Sequence, residues 1–255
     1  MTISIRDLSF GYTAALLFNR FSAELDGGEG GRPLVILGHS GCGKTTLLKL
    51  LGGLLKPQSG QVDFSGGGAV EPANSHGLPA KTSFMFQESR LLPWLTVEQN
   101  IALPLEKEFG KKAACERARH FLSLVFLDEK AAAYPQQLSG GQAQRVSMAR
   151  AFAWRSAALF MDEPFQSLDI PLRINLMDMC LSLNERENRS KNRLLVAVTH
   201  DPREAIYMGG RIIILGAPGH GIIFDRTIDL SAEERAFGSP TAAALEREML
   251  THLSA

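Results

Sequence analysis

What the chain lacks narrows its class before any motif is read. None of its apolar runs approaches the roughly 18–20 residues that cross a bilayer, so membrane association is expected to pass through a partner. The opening stretch, MTISIRDLSFGY, carries Arg6 and Asp7 and has no apolar core of the signal-peptide kind. Cysteine is scarce: Cys42, Cys115 and Cys180 are odd in number, widely spaced and without a Cys-x-x-Cys pair. That pattern argues against a disulfide framework or a zinc site and fits reduced thiols in a cytosolic protein. Excess charge is absent too. Lys and Arg total 27, as do Asp and Glu, so no net field draws the chain to nucleic acid or anionic lipid. At 255 residues and 45% hydrophobic composition, one large domain with a sizeable subdomain can bury its own core.

Residues 3–26 predict two short strands, ISIRDLSF and FNRFSAEL, ended by Gly27, Gly28, Gly30, Gly31 and Pro33. Leu34-Val35-Ile36-Leu37 is a continuous apolar run that reads as a buried strand entering a glycine-rich turn. Thr45 to Leu55 predicts a helix that stops before Pro57, and residues 65–80 predict a surface loop. Ala157–Met161 and Leu194–Val198 are further apolar runs, ending in Asp162-Glu163 and Thr199-His200. Non-alternating strands of this type suit a parallel sheet covered by helices, with ligands at the carboxyl ends of the strands. From Gln87 to about Trp154 the pattern is helical. Thr96-x-x-Gln99 forms a capping box, and Ala114, Ala118, Phe121, Leu122 and Val125 form an apolar stripe. This segment reads as a helical subdomain inserted in an α/β core; no internal repeat is present.

Gly38-His39-Ser40-Gly41-Cys42-Gly43-Lys44-Thr45 fits G-x-x-x-x-G-K-[ST] in full, between a predicted strand and a predicted helix. Glycines let backbone N–H groups turn toward phosphate oxygens, and the helix N-terminus adds partial positive charge. Lys44 is expected at the β- and γ-phosphates of a nucleotide, and the Thr45 hydroxyl at Mg²⁺. Asp162 suits the outer position of the same metal. Glu163 suits the polarisation of an attacking water. His200, at the end of a third buried strand, is expected near the γ-phosphate, although a lone histidine is more often a surface or capping residue. Cys42, beside a helix N-terminus, is expected to be a reactive thiol that ATP protects, with a buried, inert thiol as the alternative.

Leu138-Ser139-Gly140-Gly141-Gln142 resembles the signature of ABC ATPases and lies between the phosphate loop and Asp162, as in that family. Its physics fits: Ser139 can cap the following helix with Gln142 as capping-box partner. Gly140 and Gly141 leave the helix N-terminus open to a phosphate. By the same resemblance Tyr12 is the aromatic on adenine, and Gln87 is the Q-loop glutamine, counted among the catalytic, nucleotide and metal residues. Ser167-Leu168-Asp169 is the D-loop, with Asp169 at the nucleotide, and His200 is the switch histidine. The phosphate-loop residues, Thr46 included, complete the nucleotide set. The resemblance implies an α/β fold built on a P-loop NTPase core with a mostly parallel sheet and an N-terminal antiparallel β subdomain. The core would comprise residues 1–86 and 155–255, and the inserted helical subdomain residues 87–154, all in one ABC ATPase domain over 1–255. It also implies ATP and Mg²⁺ as cofactors and a homodimer that sandwiches two ATP molecules head to tail.

The segment Gln87 to Asn100, with RLLPW inside it, is similar to the Q-loop region of importer ATPases of the nitrate, sulfonate and taurine group, as is Glu163-Pro164-Phe165. The resemblance thus implies permease subunits as partners, a substrate-binding protein acting indirectly, and a peripheral place on the cytoplasmic face of the inner membrane. Leu91, Leu92 and Trp94 are expected either to receive a permease helix or to pack as an ordinary apolar turn. Two departures stand out: the glycine-rich 27–33 segment and the bulky Gln166 before Ser167, neither expected to touch the main catalytic residues. The short stretch after Phe224 is expected to hold no appended regulatory domain of the maltose-importer kind. An exporter or lipoprotein-release ATPase remains an alternative, disfavoured by Phe165. A soluble repair or translation ATPase is a more distant one, lacking the long insertion, the tandem domain and the basic excess.

Overall fold

A computed structural model describes residues 1–65, 82–166, 168–188 and 193–254. The loop expected at 65–80 lies, after Ser65, outside the described residues, as does Ser167. Two sheets form the frame. Strands β1 (Thr2–Phe10), β2 (Phe18–Asp26) and β4 (Ser59–Ser65) make an antiparallel sheet ordered β2-β1-β4. The larger sheet contains β3 (Leu34–Gly38), β5 (Thr82–Met85), β6 (Ala158–Asp162), β7 (Leu194–Thr199), β8 (Arg211–Leu215) and β9 (Ile222–Thr227). Its order is β5-β6-β7-β3-β8-β9, parallel throughout except where β9 runs against β8.

The predicted apolar runs are the central strands. Every residue of β3, β6 and β7 is buried, because the first helix and the antiparallel sheet cover one face and further helices cover the other. Register then fixes the site. Leu37 pairs with Thr199, and Asp162 with Val198, so the polar ends of β3, β6 and β7 finish side by side.

Helix α1 spans Lys44–Leu51 and stops short of the expected Leu55. Gly53 ends it in the left-handed region at φ 72°, where Leu54 N–H turns back to the Lys49 carbonyl at 2.8 Å, while Gly52 leaves room for the Phe84 ring, 2.3 Å from where a Cβ would stand. The helical segment holds α2 (Val97–Ala102), α3 (Glu106–Phe109), α4 (Lys111–Leu124) and α5 (Gly140–Ala153). Thr96 and Gln99 form the predicted capping box. Ala114, Ala118, Phe121, Leu122 and Val125 are all fully buried in one cluster with Val146, Phe152 and the sheet residue Met161. Burying each large side chain of that stripe is worth about 1.5–3 kcal/mol, enough to hold short helices that would be marginal alone. The chain continues through α6 (Ile170–Asn188), α7 (Pro202–Met208), α8 (Ala232–Arg235) and α9 (Pro240–Leu253). No helix among the described residues is long and apolar enough to cross a membrane.

Candidate active site

The loop from Gly38 to Lys44 leaves β3 and enters α1 through backbone that side chains disfavour. Gly43 caps the helix at φ 108°, and a Cβ there would meet Leu17 and Phe18 at 3.0 Å. Gly41 has φ 84°, and a Cβ on Gly38 would lie 2.7 Å from Cys42 Sγ. Lys44 is only 4% exposed. Its ammonium donates to the carbonyls of Gly38 at 2.7 Å and His39 at 2.9 Å, which holds a buried positive charge inside the loop. Thr45 Oγ1 donates to Asp162 Oδ1 at 2.7 Å. Thr46 is buried, with its hydroxyl 3.3 Å from the Tyr12 hydroxyl. Tyr12 itself is 66% exposed and stands edge-on to Phe10, leaving a ring face open beside the loop. Ser40 and His39 are exposed, and the His39 ring is hydrogen-bonded to the Leu253 carbonyl. Cys42 is 5% exposed and packs in the apolar cluster under the loop. The expectation of a reactive thiol is corrected by that packing: the helix terminus is near, but the sulfur lacks the access alkylation needs.

Asp162 closes β6 and is 6% exposed. Burial pushes its carboxyl pKa up, against the lowering effects of the Thr45 hydrogen bond and of Lys49 and Lys44. A buried carboxylate and a hydroxyl within 2.7 Å of each other form an all-oxygen donor set, the type that hard Mg²⁺ favours. Glu163 has φ 44°, unusual for a residue with a side chain. Its N–H is held by the Val198 carbonyl at 3.1 Å. The twist costs on the order of 1–3 kcal/mol. Glu163 Oε2 lies 3.0 Å from His200 Nδ1. A carboxylate thus meets an imidazole at adjoining strand ends, beside the lysine loop.

The signature segment is built as its sequence predicts. Ser139 caps α5, accepting from Gln142 N–H at 3.3 Å, while Gln142 Oε1 accepts from Ser139 N–H at 3.0 Å. A Cβ at Gly140 would meet nothing within 4 Å, whereas one at Gly141 would lie 2.8 Å from Leu172. The first turn of α5 is therefore open at Gly140 and closely packed at Gly141. Thr45 bonds Asp162 and Glu163 bonds His200, while Lys44 bonds the carbonyls of its own loop; the sheet register sets these groups at neighbouring strand ends. Ser139 and Gln142 bond each other, not that group. Asp169 is exposed, and its side chain accepts from Leu172 N–H at 2.9 Å as a cap for α6. Gln87 is exposed and its amide donates to Gln166 Oε1. The expectation that Gln166 touches none of the main catalytic residues is corrected by that bond to Gln87.

A family model described as ABC transporter matches residues 24–166. The chain belongs to this family. Among curated relatives, an aliphatic sulfonates import ATP-binding protein SsuB 1 of Xanthomonas axonopodis pv. citri (strain 306) is 41% identical over 192 residues, 74% of this chain and 72% of that protein. The aliphatic sulfonates import ATP-binding protein SsuB of Bacillus subtilis (strain 168) is 40% identical over 190 residues, 74% of this chain and 70% of its own. Among solved structures, the dimeric ATP-binding cassette MJ0796 in a post-hydrolysis state bound to ADP and Pi matches with a TM-score of 0.72 and 28% identity. The match covers 90% of this chain and 100% of that one. This ABC ATPase therefore binds ATP and hydrolyses it, and its sheet arrangement is that of the cassette fold.

Sequence reasoning passed over several side chains that brace this ABC ATPase. Gln144 is buried in α5 and donates to the Pro164 carbonyl at 2.5 Å, tying the signature helix to the turn after Glu163. Arg150 donates to the carbonyls of Ser89 and Arg90 at 2.7 and 3.0 Å, tying the same helix to the segment after Gln87. Arg173 bonds Asp201, one residue beyond His200, at 2.9 Å. No local pattern marks Gln144, since Ser147 is a second polar residue on the same buried face, and nothing local marks the arginines.

Proposed function

We propose that this ABC ATPase is the energy-supplying subunit of an importer for aliphatic sulfonates or similarly small anionic solutes such as nitrate or taurine-like sulfonates. The energy-supplying role is carried by the placement of Lys44, Thr45, Asp162, Glu163 and His200 at three adjoining strand ends, and the import reading is supported by the similarity to aliphatic sulfonates import ATP-binding proteins. In this reading the backbone N–H groups of residues 38–45 enclose the nucleotide phosphates, and Lys44 supplies positive charge there. Tyr12 offers its exposed ring to adenine. Thr45 and Asp162 hold Mg²⁺ with Gln87, and the ion when bound neutralises charge on the β- and γ-phosphates. Glu163 takes a proton from the attacking water, and His200 orients that carboxylate and faces the γ-phosphate. The dipole at the open start of α5 is offered to ATP on a second copy of the chain, so that Ser139, Gly140, Gly141, Gln142 and Asp169 complete the partner's site. The dimeric state of the structural relative supports this arrangement.

The chain is read as one domain over 1–255, with 87–154 as the inserted signature subdomain. Trp94, 69% exposed, with the half-buried Leu91 and Leu92, offers an apolar surface to a permease on the cytoplasmic face of the membrane. A substrate-binding protein acts on the far side of that permease, and nucleic acid has no part. Two measurements test this. Calorimetric titration with Mg-ATP is expected to show binding to the parent chain and none to Lys44→Ala; equal affinities would remove Lys44 from its role. Proteoliposomes holding the permease, its binding protein and this chain are expected to accumulate labelled aliphatic sulfonate only with internal ATP. ATP-independent uptake would sink the proposal.

A further inference from the structure

His200 is almost half exposed, and Glu163 is the one described side chain bonded to it. Its two neighbours in sequence are held far more firmly. Thr199 Oγ1 donates to Glu204 Oε2 at 2.5 Å and accepts from Asp201 N–H at 3.1 Å. Asp201 Oδ1 accepts from Arg203 N–H at 2.9 Å and caps α7. Arg173, in the first turn of α6, reaches both carboxylates. Its Nη1 lies 2.9 Å from Asp201 Oδ2 and 3.3 Å from Glu204 Oε1. From the other arm of the guanidinium, Nη2 donates to the Leu168 carbonyl at 3.2 Å, one residue before Asp169. The three charged side chains are 17%, 11% and 7% exposed for Arg173, Asp201 and Glu204. Arg203 adds a more exposed cation to Asp201.

We propose that Arg173 is a positioning residue that locks the Leu168–Asp169 segment to the turn carrying His200, so that the Glu163–His200 pair and the dimer-facing Asp169 move as one unit. This rests on the roles given above to Glu163, His200 and Asp169. The chemistry fits a guanidinium and no other side chain. Its planar fork presents donors in two directions, enough to bridge two carboxylates and a carbonyl at once. A lysine is a single point of charge and keeps the ion pairs at the expense of the carbonyl. The site is largely screened from water, so these bonds are stiffer than a surface ion pair would be. Arrival of a second copy against Asp169 is then transmitted through Leu168 and Arg173 to Asp201 and Thr199, and so to the imidazole between them.

A purely structural salt bridge predicts a different result from a positioning one: loss of one partner of a buried pair then shows as lost stability alone, whereas a positioning role lowers turnover in protein that is still folded. The full chain is assayed as Arg173→Gln and Arg173→Lys, with Glu163→Gln alongside. Mg-ATP affinity by titration is expected to stay within about twofold, since the phosphate loop is untouched. The turnover number is expected to fall at least about tenfold in Arg173→Gln and by a smaller factor in Arg173→Lys, at temperatures where both melt as folded proteins. The loss in Arg173→Gln is expected to be non-additive with that of Asp201→Asn. Parent-like turnover in a folded Arg173→Gln, with Glu163→Gln inactive, overturns the inference and leaves the catalytic reading standing. If Arg173→Gln does not fold, parent-like turnover in Arg173→Lys overturns it equally. Full turnover in Glu163→Gln instead removes the catalytic reading and the inference with it.

Discussion

Replacing Glu163 by glutamine keeps the side chain's size and its reach to His200 Nδ1, 3.0 Å away, but removes the group that takes the proton. The substitution asks the backbone for nothing new, since the φ of 44° at this position is as demanding for Gln as for Glu. Lys44, Thr45 and Asp162 are untouched, so ATP binding is expected to persist. Loss of a general base costs about 10²–10⁴ in rate, or about 2.7–5.4 kcal/mol on the barrier at about 1.36 kcal/mol per decade. An enzyme turning over at an ordinary ~10 s⁻¹ would fall to about 0.1–0.001 s⁻¹. With hydrolysis slowed and binding intact, the ATP-bound dimer is expected to accumulate. Phosphate release at saturating Mg-ATP gives the rate, and light scattering on the same sample gives the mass. Parent-like turnover, or a variant that stays monomeric under saturating ATP, would refute the reasoning from Glu163 as the base.

Phe121→Ala removes a fully buried ring from the helical cluster and is expected to destabilise the fold by about 3–5 kcal/mol. Urea unfolding measures this, and a loss below about 1 kcal/mol would mean the α4 stripe is not core. Thiol labelling should separate access from chemistry. Cys180 is buried with its pKa pushed up to about 12 by desolvation, and Cys42 is packed beneath its loop. Both are expected to resist alkylation at pH 8 until denaturant is added. The pKa of Cys115 is raised by partial burial and by Glu98, so its labelling should be slow at neutral pH and speed up as pH rises. Mass spectrometry of labelled peptides reads all three, and rapid ATP-sensitive labelling of Cys42 in the folded chain would restore the reactive thiol.

The parts of the site that were legible in sequence are those where chemistry constrains the backbone. Gly43 and Gly41 need their left-handed angles, and Ser139 and Gln142 need their spacing of three. The apolar runs before Asp162 and His200 announce buried parallel strands, and the sheet register does the rest by aligning their ends. What stayed hidden depends on distance along the chain. Gln87 meets Gln166 across 79 positions and Arg173 meets Asp201 across 28, and no local period encodes either meeting. The end of α1 differs from the expected Leu55 for a local reason. Leu54 and Leu55 extend the apolar pattern, yet Leu54 is exposed, and Gly53 takes the left-handed angle of φ 72° that closes the helix. Cys42 lies beside a helix terminus in sequence, yet it packs in the apolar cluster beneath its loop, and that packing governs access.

The most direct test of a composite site is to mix two inactive variants, Lys44→Ala and Ser139→Arg, and follow ATPase rate against mixing ratio with subunit exchange verified. In a head-to-tail heterodimer one composite site collects both lesions, and the other keeps an intact Lys44 opposite an intact Ser139. The rate is expected to rise to a maximum at intermediate ratios, well above either variant alone. A flat line at background, with exchange demonstrated, would contradict the arrangement in which the start of α5 completes the partner's phosphate loop.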